Sequence, residues 1–201
     1  MKKIIIIIPT FNEDKNIYKL TKKLIKIIPN LLIYIVDDTK NSTIGKILSK
    51  NKKIKYILRK NKKGRGSAVI HGLKKGLKNN SNIFIEMDAD FSHNPKELKK
   101  NLIIFKKKKL DLLVSSRYLP QSKIINWSIS RKVFSFLSNF IARILLKISV
   151  SDYTNGFRIY SRKSAILIVK KCGNIGDGFI VLSEILLTID SNGLKIGEVP
   201  T

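Results

Sequence analysis

Short apolar runs of strand character alternate with longer helical segments through the first 115 residues of the chain. The predicted strands span 3–9, 32–37, 54–58, 83–88 and 111–115. A helix is predicted at 14–28, where Ile17, Leu20 and Leu24 recur on one face, and another begins at Asn94-Pro95. Strands that alternate with helices of this length form a mostly parallel sheet covered on both faces. We therefore predict an α/β fold with a Rossmann-like sheet flanked by helices.

A long amphipathic helix is predicted at 130–148. One side of it is apolar, while Ser135 and Asn139 lie elsewhere; the apolar residues are Val133, Phe134, Leu137, Phe140, Ile141, Ile144, Leu145 and Ile148. The simpler interpretation is that this side packs on the sheet. The alternative is that it lies in a membrane interface, because lysines and arginines flank the large apolar side chains. The remaining elements are predicted at 157–160, 162–171, 179–190 and 194–199.

Composition narrows the class of protein. A chain of 201 residues with 43% hydrophobic content can bury the core of one domain. The net charge of +26 favours polyanionic partners such as phosphorylated substrates, anionic lipid or nucleic acid, although a lysine-rich genome would also produce it. The single cysteine excludes an internal disulfide. No segment approaches the roughly 18 apolar residues of a membrane span, so we expect a cytoplasmic protein that meets a membrane only at its surface.

Two of the predicted strands run directly into paired acids, which are Asp37-Asp38 and Asp88-Ala89-Asp90. Only 14 residues are acidic, against 40 lysines and arginines, so these acids are not scattered surface charge. Strand carboxyl ends form the ligand crevice of an open α/β sheet, and carboxylates crowded there need a cation or a hydrogen-bonding ligand between them. Carboxylate oxygens suit Mg²⁺ or Mn²⁺. The sequence therefore predicts a metal-dependent site in which Asp88 and Asp90 hold the ion and the ion binds a diphosphate.

Two turns add weaker signals. The segment Pro9-Thr10-Phe11-Asn12-Glu13 follows the first strand and offers an aromatic ring and a carboxylate to a nucleotide base. The segment Lys62-Lys63-Gly64-Arg65-Gly66-Ser67 is a basic glycine turn that opens a helix, where backbone amides and cations favour an anion.

Taken in order, these segments resemble the dolichol-phosphate mannosyltransferase group of the inverting GT-A glycosyltransferases. The motifs that carry the resemblance are Pro9-Thr10-Phe11-Asn12-Glu13, Val36-Asp37-Asp38, Gly64-Arg65-Gly66, the run from Met87 to Pro95, Ser116-Arg117-Tyr118, Trp127 with Arg131 and Ser135, Asp152-x-Thr154-x-Gly156-Phe157-Arg158, and Glu198-Val199-Pro200. The resemblance spans nearly the whole chain. It departs after Asp38, where the turn differs, and at Arg65, where an apolar residue is common.

The resemblance implies a GT-A fold in one catalytic domain, 1–201, with a nucleotide-sugar half at 1–115 and an acceptor half at 116–201. Relatives continue beyond the Glu-Val-Pro strand, so we expect the acceptor half to be truncated. The implied reaction moves a hexose, most often mannose, from GDP-mannose or a UDP-sugar to a polyprenyl or dolichyl phosphate. The enzyme would be peripheral at the inner face of the membrane, with no nucleic-acid partner.

Residue roles follow from the same resemblance. The donor nucleotide would be contacted by Pro9, Phe11, Glu13, Asp37, Asp38 and Asp88. Asp90, Arg117 and Arg131 would be catalytic, and Arg117, Arg131 and Ser135 would hold the acceptor phosphate. A phosphate monoester is already largely ionised at neutral pH, with a second pKa of about 6, so its oxygen attacks without a general base.

Alternatives remain at this stage. A GT-A enzyme that acts on a glycan hydroxyl needs a base carboxylate, for which Asp152 and Glu184 are the candidates. A nucleic-acid binder would use the positive charge, bind less at high salt, and have no use for the acidic pairs. Of the remaining polar residues, His93 is expected to shape its loop, and Glu184 to be either exposed or paired with Arg158.

Overall fold

The protein is described by a computed structural model that covers residues 3–40, 42, 44–60, 64–122, 124, 128–173, 178 and 180–201, without the side chain of Arg131. The strands are β1 (Ile4–Thr10), β2 (Leu31–Asp37), β3 (Ile54–Leu58), β4 (Ile83–Glu86), β5 (Leu112–Ser116), β6 (Arg158–Ser161) and β7 (Ile196–Pro200). The helices are α1 (Asp14–Ile27), α2 (Ile44–Leu48), α3 (Arg65–Gly76), α4 (Leu98–Lys107), α5 (Ile129–Leu146), α6 (Arg162–Lys171) and α7 (Ile180–Ser191).

The strands form one sheet in the order β3-β2-β1-β4-β6-β5-β7. All neighbouring pairs are parallel except those of β6, which runs antiparallel to β4 and β5. Thr10 at the end of β1 pairs with Asp37 at the end of β2, so the segments that follow these strands start side by side. The predicted α/β fold with a mostly parallel sheet is confirmed.

Both faces of the sheet are buried, because successive side chains of a strand point to opposite sides. In β1, Ile6 and Ile8 join the apolar cluster of α1, α2 and α4, whereas Ile5 and Ile7 join that of α3, α6 and α7. All four are fully buried. This explains why the central strands have continuous apolar sequences instead of an alternating pattern.

Element boundaries differ from the prediction at a few positions. The helix α2 was missed, since its five residues are too few for a periodic pattern. β4 ends at Glu86, two residues before the predicted end, so Met87 and Asp88 belong to the loop that follows. The predicted helix start at Asn94-Pro95 is confirmed, since Pro95 opens a 3-10 turn before α4, and the structure adds that the Asn94 side chain caps this segment by accepting the Lys96 N–H at 3.1 Å.

The apolar side of the long helix α5 faces outward, whereas the simpler interpretation of the sequence predicts that it packs on the sheet. Its polar residues Ser135 and Asn139 are buried, whereas Phe134 and Leu145 are 75% and 72% exposed. The other exposed apolar side chains of the helix are Ile129, Val133, Phe136, Leu137, Phe140, Ile141 and Ile144. Each forgoes the roughly 1.5–3 kcal/mol that burial of a large apolar side chain provides. The expectation that this face packs on the sheet is therefore wrong for these residues. Within the described ranges, no helix is long and apolar enough to cross a bilayer.

Candidate active site

The turn after β1 is held open by specific contacts at the carboxyl edge of the sheet. Asn12 has a left-handed backbone (φ 58°), and its N–H donates to Thr39 Oγ1 at 2.7 Å. The Glu13 carboxylate accepts a hydrogen bond from Asn16 Nδ2 at 2.8 Å. Pro9 is buried in the strand, whereas the Phe11 ring is 43% exposed. The ring and the carboxylate thus lie at the sheet edge, and the donor contact of Pro9, Phe11 and Glu13 stays a prediction.

Asp37 and Asp38 are buried and bonded within the protein. Asp37 accepts hydrogen bonds from the Thr39 N–H at 2.8 Å and from the Tyr56 hydroxyl. Asp38 forms a two-point ion pair with Arg59, at 2.5 and 2.6 Å. The pair is almost fully buried, with side chains 7% and 4% exposed. The sequence predicted a cation beside this acidic pair, and in the structure that cation is the guanidinium of Arg59. The predicted nucleotide contact of both aspartates stays a prediction.

Arg59 also fixes the glycine turn. Its Nη2 donates to Gly64 O and its Nη1 to Ser67 Oγ, both at 2.9 Å, while the Gly64 N–H donates to Asp38 at 3.1 Å. Gly64 has φ 82° and ψ 169°, a conformation that only glycine adopts without strain. The start of α3 is thereby fixed beside the end of β2. Lys62 and Lys63, which the anion-site prediction included, lie outside the described residues.

Asp88 is paired with Arg65, the first residue of α3. The guanidinium donates to Asp88 Oδ1 from Nε at 3.0 Å and from Nη2 at 2.7 Å. Burial alone would raise the pKa of Asp88, but the charge and hydrogen bonds of Arg65, together with further positive charge nearby, lower it overall. Asp88, one of the two predicted metal ligands, is therefore already paired with the guanidinium of Arg65.

Asp90 is exposed, and its Oδ1 accepts the Ser92 N–H at 2.9 Å. Among the described residues, no three His, Cys, Asp or Glu side chains are grouped so as to hold a metal ion. Mg²⁺ is usually held by one or two carboxylates together with substrate phosphates, so a solvent-facing carboxylate at a strand end fits this ion without a protein cage. The donor set thus agrees with a metal whose remaining ligands come from the substrate.

His93 shapes the loop, as predicted. Its Nδ1 accepts the Asp88 N–H at 3.1 Å, and its Nε2 lies 2.9 Å from Asn155 Oδ1. Because Nδ1 accepts, geometry assigns the proton to Nε2. The ring stacks on Phe157 at 5.2 Å. His93 therefore ties the Asp88 loop to the segment before β6.

Arg117 is engaged by a buried carboxylate. Its Nε and Nη2 each donate to Asp152 at 2.7 Å, its backbone N–H donates to the same carboxylate at 3.0 Å, and Nη2 also contacts Thr154 Oγ1 at 2.7 Å. Burial would raise the pKa of Asp152, but the hydrogen bonds and charge of Arg117 lower it overall. The predicted phosphate ligand is thus an arginine whose position is set by Asp152. Asp152 in turn is a poor general base.

Ser135 is connected to Arg117 by two routes, one through the adjacent Tyr118 and one through Asn139 and Thr154. The Tyr118 hydroxyl donates to Ser135 Oγ at 2.7 Å, and Asn139 Nδ2 contacts Ser135 O at 2.7 Å and Thr154 Oγ1 at 3.3 Å. The buried side of α5 thereby contacts the group formed by Arg117, Asp152 and Thr154, called the Arg117 cluster below. Arg131 is one helical turn before Ser135 on α5; its side chain, like Trp127, lies outside the described residues.

Several partners were not found from the sequence. Arg59, Asn139 and Asn155 organise the site, but a buried arginine or asparagine cannot be distinguished from a surface one without its contacts.

Burial also changes the interpretation of Arg158, which donates to the carbonyls of Tyr153, Asn155 and Leu182. The proposed pairing of Arg158 with Glu184 is wrong: Glu184 instead accepts the Gly173 N–H at 2.7 Å and is buried.

Comparison with known proteins identifies the family. Residues 5–167 match the family described as glycosyl transferase family 2. The polyprenol monophosphomannose synthase of Mycolicibacterium smegmatis is 30% identical over 201 residues, which cover 98% of this chain and 75% of that protein. The undecaprenyl-phosphate mannosyltransferase of Micrococcus luteus is 32% identical over 162 residues, which cover 79% of this chain and 66% of that protein. The chain is therefore shorter than both relatives.

A solved structure has the same fold. The glucosyl-3-phosphoglycerate synthase of Mycobacterium tuberculosis, crystallised with Mn²⁺, UDP and glucosyl-3-phosphoglycerate, superposes with a TM-score of 0.70 at 17% identity. The match covers 99% of this chain and 70% of that one, and it confirms the GT-A architecture. This chain belongs to glycosyl transferase family 2, and its predicted resemblance to the polyprenyl-phosphate glycosyltransferases is confirmed.

Proposed function

We propose that this chain transfers a hexose from a nucleoside diphosphate sugar to a polyprenyl phosphate with inversion, and that mannose is the favoured hexose. The observation that carries the proposal is the orientation of α5. Its buried polar residues join the Arg117 cluster, and its apolar side faces outward. An acceptor with an anionic head and a long apolar tail needs both surfaces next to each other. The two relatives, a polyprenol monophosphomannose synthase and an undecaprenyl-phosphate mannosyltransferase, support this acceptor class and this sugar.

The reaction needs positioning more than acid–base chemistry. An oxygen of the acceptor phosphate attacks the anomeric carbon while the bond from that carbon to the diphosphate breaks, and the nucleoside diphosphate leaves with the electron pair. The attacking oxygen needs no base, because the second pKa of a phosphate monoester is about 6. Arg117, oriented by Asp152, would hold the acceptor phosphate together with Arg131 and Ser135. The two anionic substrates are thereby brought together.

The hydroxyl-acceptor alternative has weaker support. Asp152 forms an ion pair with Arg117 and has a lowered pKa, so its carboxylate is a poor proton acceptor. Glu184 accepts the N–H of Gly173, at the end of α6. Both candidate bases are therefore already engaged, Asp152 by Arg117 and Glu184 by the Gly173 N–H.

The donor would bind along the carboxyl edge of β1, β2 and β4. Phe11 and Glu13 would contact the base and ribose, whereas Asp37 and Asp38 would act mainly by holding the turns in place. A divalent ion, Mg²⁺ or Mn²⁺, would be held by Asp90 next to Asp88 and would supply positive charge to the departing diphosphate. GDP-mannose is the favoured donor, and residues 1–115 and 116–201 would serve donor and acceptor respectively.

The exposed side of α5 would contact the membrane that contains the lipid acceptor. Its large apolar side chains are accompanied by exposed Lys132, Arg143 and Lys147. Apolar burial combined with attraction to anionic lipid is the usual basis of interfacial helix binding. The net charge of +26 acts in the same direction. We place the protein at the inner face of the membrane as a peripheral enzyme.

A transfer assay tests the proposed reaction. Purified protein is incubated with polyprenyl phosphate in detergent, Mg²⁺ or Mn²⁺, and a panel of labelled GDP- and UDP-sugars. We expect label from GDP-mannose in an organic-soluble product that mild acid cleaves. Asp90→Asn should reduce this product at least 100-fold, whereas the matched control Asp190→Asn, on the exposed part of α7, should not. With a hydroxyl-bearing glycan added to the same mixture, label found only in the glycan and none in the lipid would refute the lipid-phosphate acceptor.

Liposome sedimentation tests the membrane contact separately. Phe134→Ser combined with Leu145→Ser should weaken binding to anionic vesicles at least tenfold. Ile103→Ser on α4, which is also largely exposed (66%), is the matched control and should leave binding unchanged. Equal loss in both proteins would show that general hydrophobicity, not α5, drives binding.

A further inference from the structure

Arg65 lies between two carboxylates of the β4 strand end. It reaches Asp88 through two hydrogen bonds, and its Nη1 lies 2.7 Å from Glu86 Oε1 as an ion pair without hydrogen-bond geometry. Glu86 is fully buried, and its other oxygen accepts the Tyr160 hydroxyl at 2.5 Å. One guanidinium therefore serves two anions, one of them with no access to water.

The site around Arg65 is shaped for its guanidinium. A Cβ added at Gly156 would lie 1.7 Å from Arg65 Nη2, so no residue larger than glycine fits there while Arg65 keeps this position. The side chain is 17% exposed, compared with 27% for Asp88. This arginine is thus a fixed part of the site and not a mobile surface charge.

The position of Arg65 limits what Asp88 can do. A divalent ion that shared the Asp88 carboxylate would sit close to a guanidinium that the buried Glu86 keeps in place, and the two cations would repel. Among the residues that the structure describes, Asp90 contacts the Ser92 N–H and no guanidinium. The two aspartates of the Asp88-Ala89-Asp90 segment are therefore not equivalent.

We propose that Arg65 is a built-in counterion that keeps Asp88 from a metal ion in the nucleotide-free protein and leaves Asp90 as the carboxylate that receives it. The inference rests on the metal-dependent donor site of the proposed function. On this proposal Asp90 would hold the ion together with the donor diphosphate, so that metal binding would depend on the donor. Arg65 is a positioning residue for this step.

Mn²⁺ binding, followed by loss of the free-ion signal in electron paramagnetic resonance, tests the proposal without any transfer reaction. We expect weak binding to the wild-type protein alone and at least 20-fold tighter binding when GDP is present, after correction for the signal that GDP removes in a protein-free sample. In Arg65→Met with Glu86→Gln, binding without nucleotide should tighten at least tenfold, because Asp88 is released. Glu86→Gln alone retains the Arg65–Asp88 pair and should therefore gain much less Mn²⁺ affinity than the double variant. Adding Asp88→Asn to the double variant should reverse the gain.

A second variant keeps all charges unchanged. Gly156→Ala pushes the guanidinium away from Asp88, so nucleotide-free Mn²⁺ binding should again tighten, by at least threefold. Circular dichroism identifies any variant that has not folded. Equal nucleotide-free Mn²⁺ affinity in the wild type, the double variant and Gly156→Ala would overturn the proposal. A failed transfer assay with intact Mn²⁺ results would instead refute the acceptor, so the two failures are distinguishable.

Discussion

Gly156→Ala is the substitution whose effect the structure specifies most directly. The Gly156 backbone is not in the left-handed region, so alanine adds no conformational strain of its own. The added methyl group would instead occupy the position of Arg65 Nη2, 1.7 Å away. The guanidinium must move, and its contacts with Asp88 and the fully buried Glu86 are weakened or lost.

The magnitude follows from which contact is lost. Removing one partner of a buried ion pair costs about 3–5 kcal/mol, because the other charge is left without compensation. Asp88 is part-exposed and regains water, so it adds little. Replacing glycine by alanine returns about 0.4–1 kcal/mol by restricting the unfolded chain. We expect the free energy of unfolding to fall by about 2–4 kcal/mol.

A double-mutant cycle measured by urea unfolding isolates the cause. In Arg65→Met the methyl group meets no guanidinium, so Gly156→Ala should then cost less than about 1 kcal/mol. The resulting coupling of at least about 1 kcal/mol lies within the range of about 0.5–3 kcal/mol for residues in contact. Equal costs of Gly156→Ala in both backgrounds would refute the argument, because the clash would then not involve Arg65.

Three further outcomes are expected. Asp152→Asn turns an amide toward the donors of Arg117, so it should lower the free energy of unfolding by about 3–5 kcal/mol and raise the KM for polyprenyl phosphate more than it lowers kcat. The lowered pKa values of Asp88 and Asp152 mean that the unfolded chain binds more protons, so the stability they provide is complete above about pH 4 and is lost as pH falls through their folded values. His93→Phe keeps the ring but leaves the Asp88 N–H and the Asn155 amide oxygen without this partner, which should cost about 1–3 kcal/mol.

Each of these outcomes has a control. Asp190→Asn, at an exposed aspartate outside the site, should change neither stability nor KM, and an equal effect would show that charge alone is responsible. Urea midpoints from pH 3 to pH 7 should fall less steeply with acid in Asp152→Asn than in the wild type; parallel curves would contradict the assignment. His93→Phe should lose stability without losing secondary structure in circular dichroism.

The pattern of the sequence predicted the fold well for a physical reason. Strands buried on both faces need unbroken apolar runs, and β1 with its consecutive isoleucines has such a run. The helix α1 has the 3.6-residue apolar repeat of a helix covering a sheet. These signals are local, so they are visible before any contact is known. The strand-end acids were also located correctly, because parallel strands bring their carboxyl ends to one edge.

The partners of those acids were not predictable in the same way. The sequence indicated that crowded carboxylates need a cation and suggested a metal ion. In the structure Arg59 holds Asp38, and Arg65 holds Asp88. Each pair joins residues more than 20 positions apart, so it exists only when strand order and helix placement bring them together. The orientation of α5 was equally hidden, since an amphipathic pattern defines an apolar face without saying what covers it.

Local periodicity and motifs were enough to predict the succession of strands and helices apart from α2, the edge at which the acids gather, and the family. Tertiary contacts were needed to show that Asp38 and Asp88 are already paired with arginines, that Asp152 holds Arg117, and that α5 turns its polar side inward. These properties depend on burial and on charges brought within about 3 Å, where desolvation and Coulomb attraction determine what a side chain can bind.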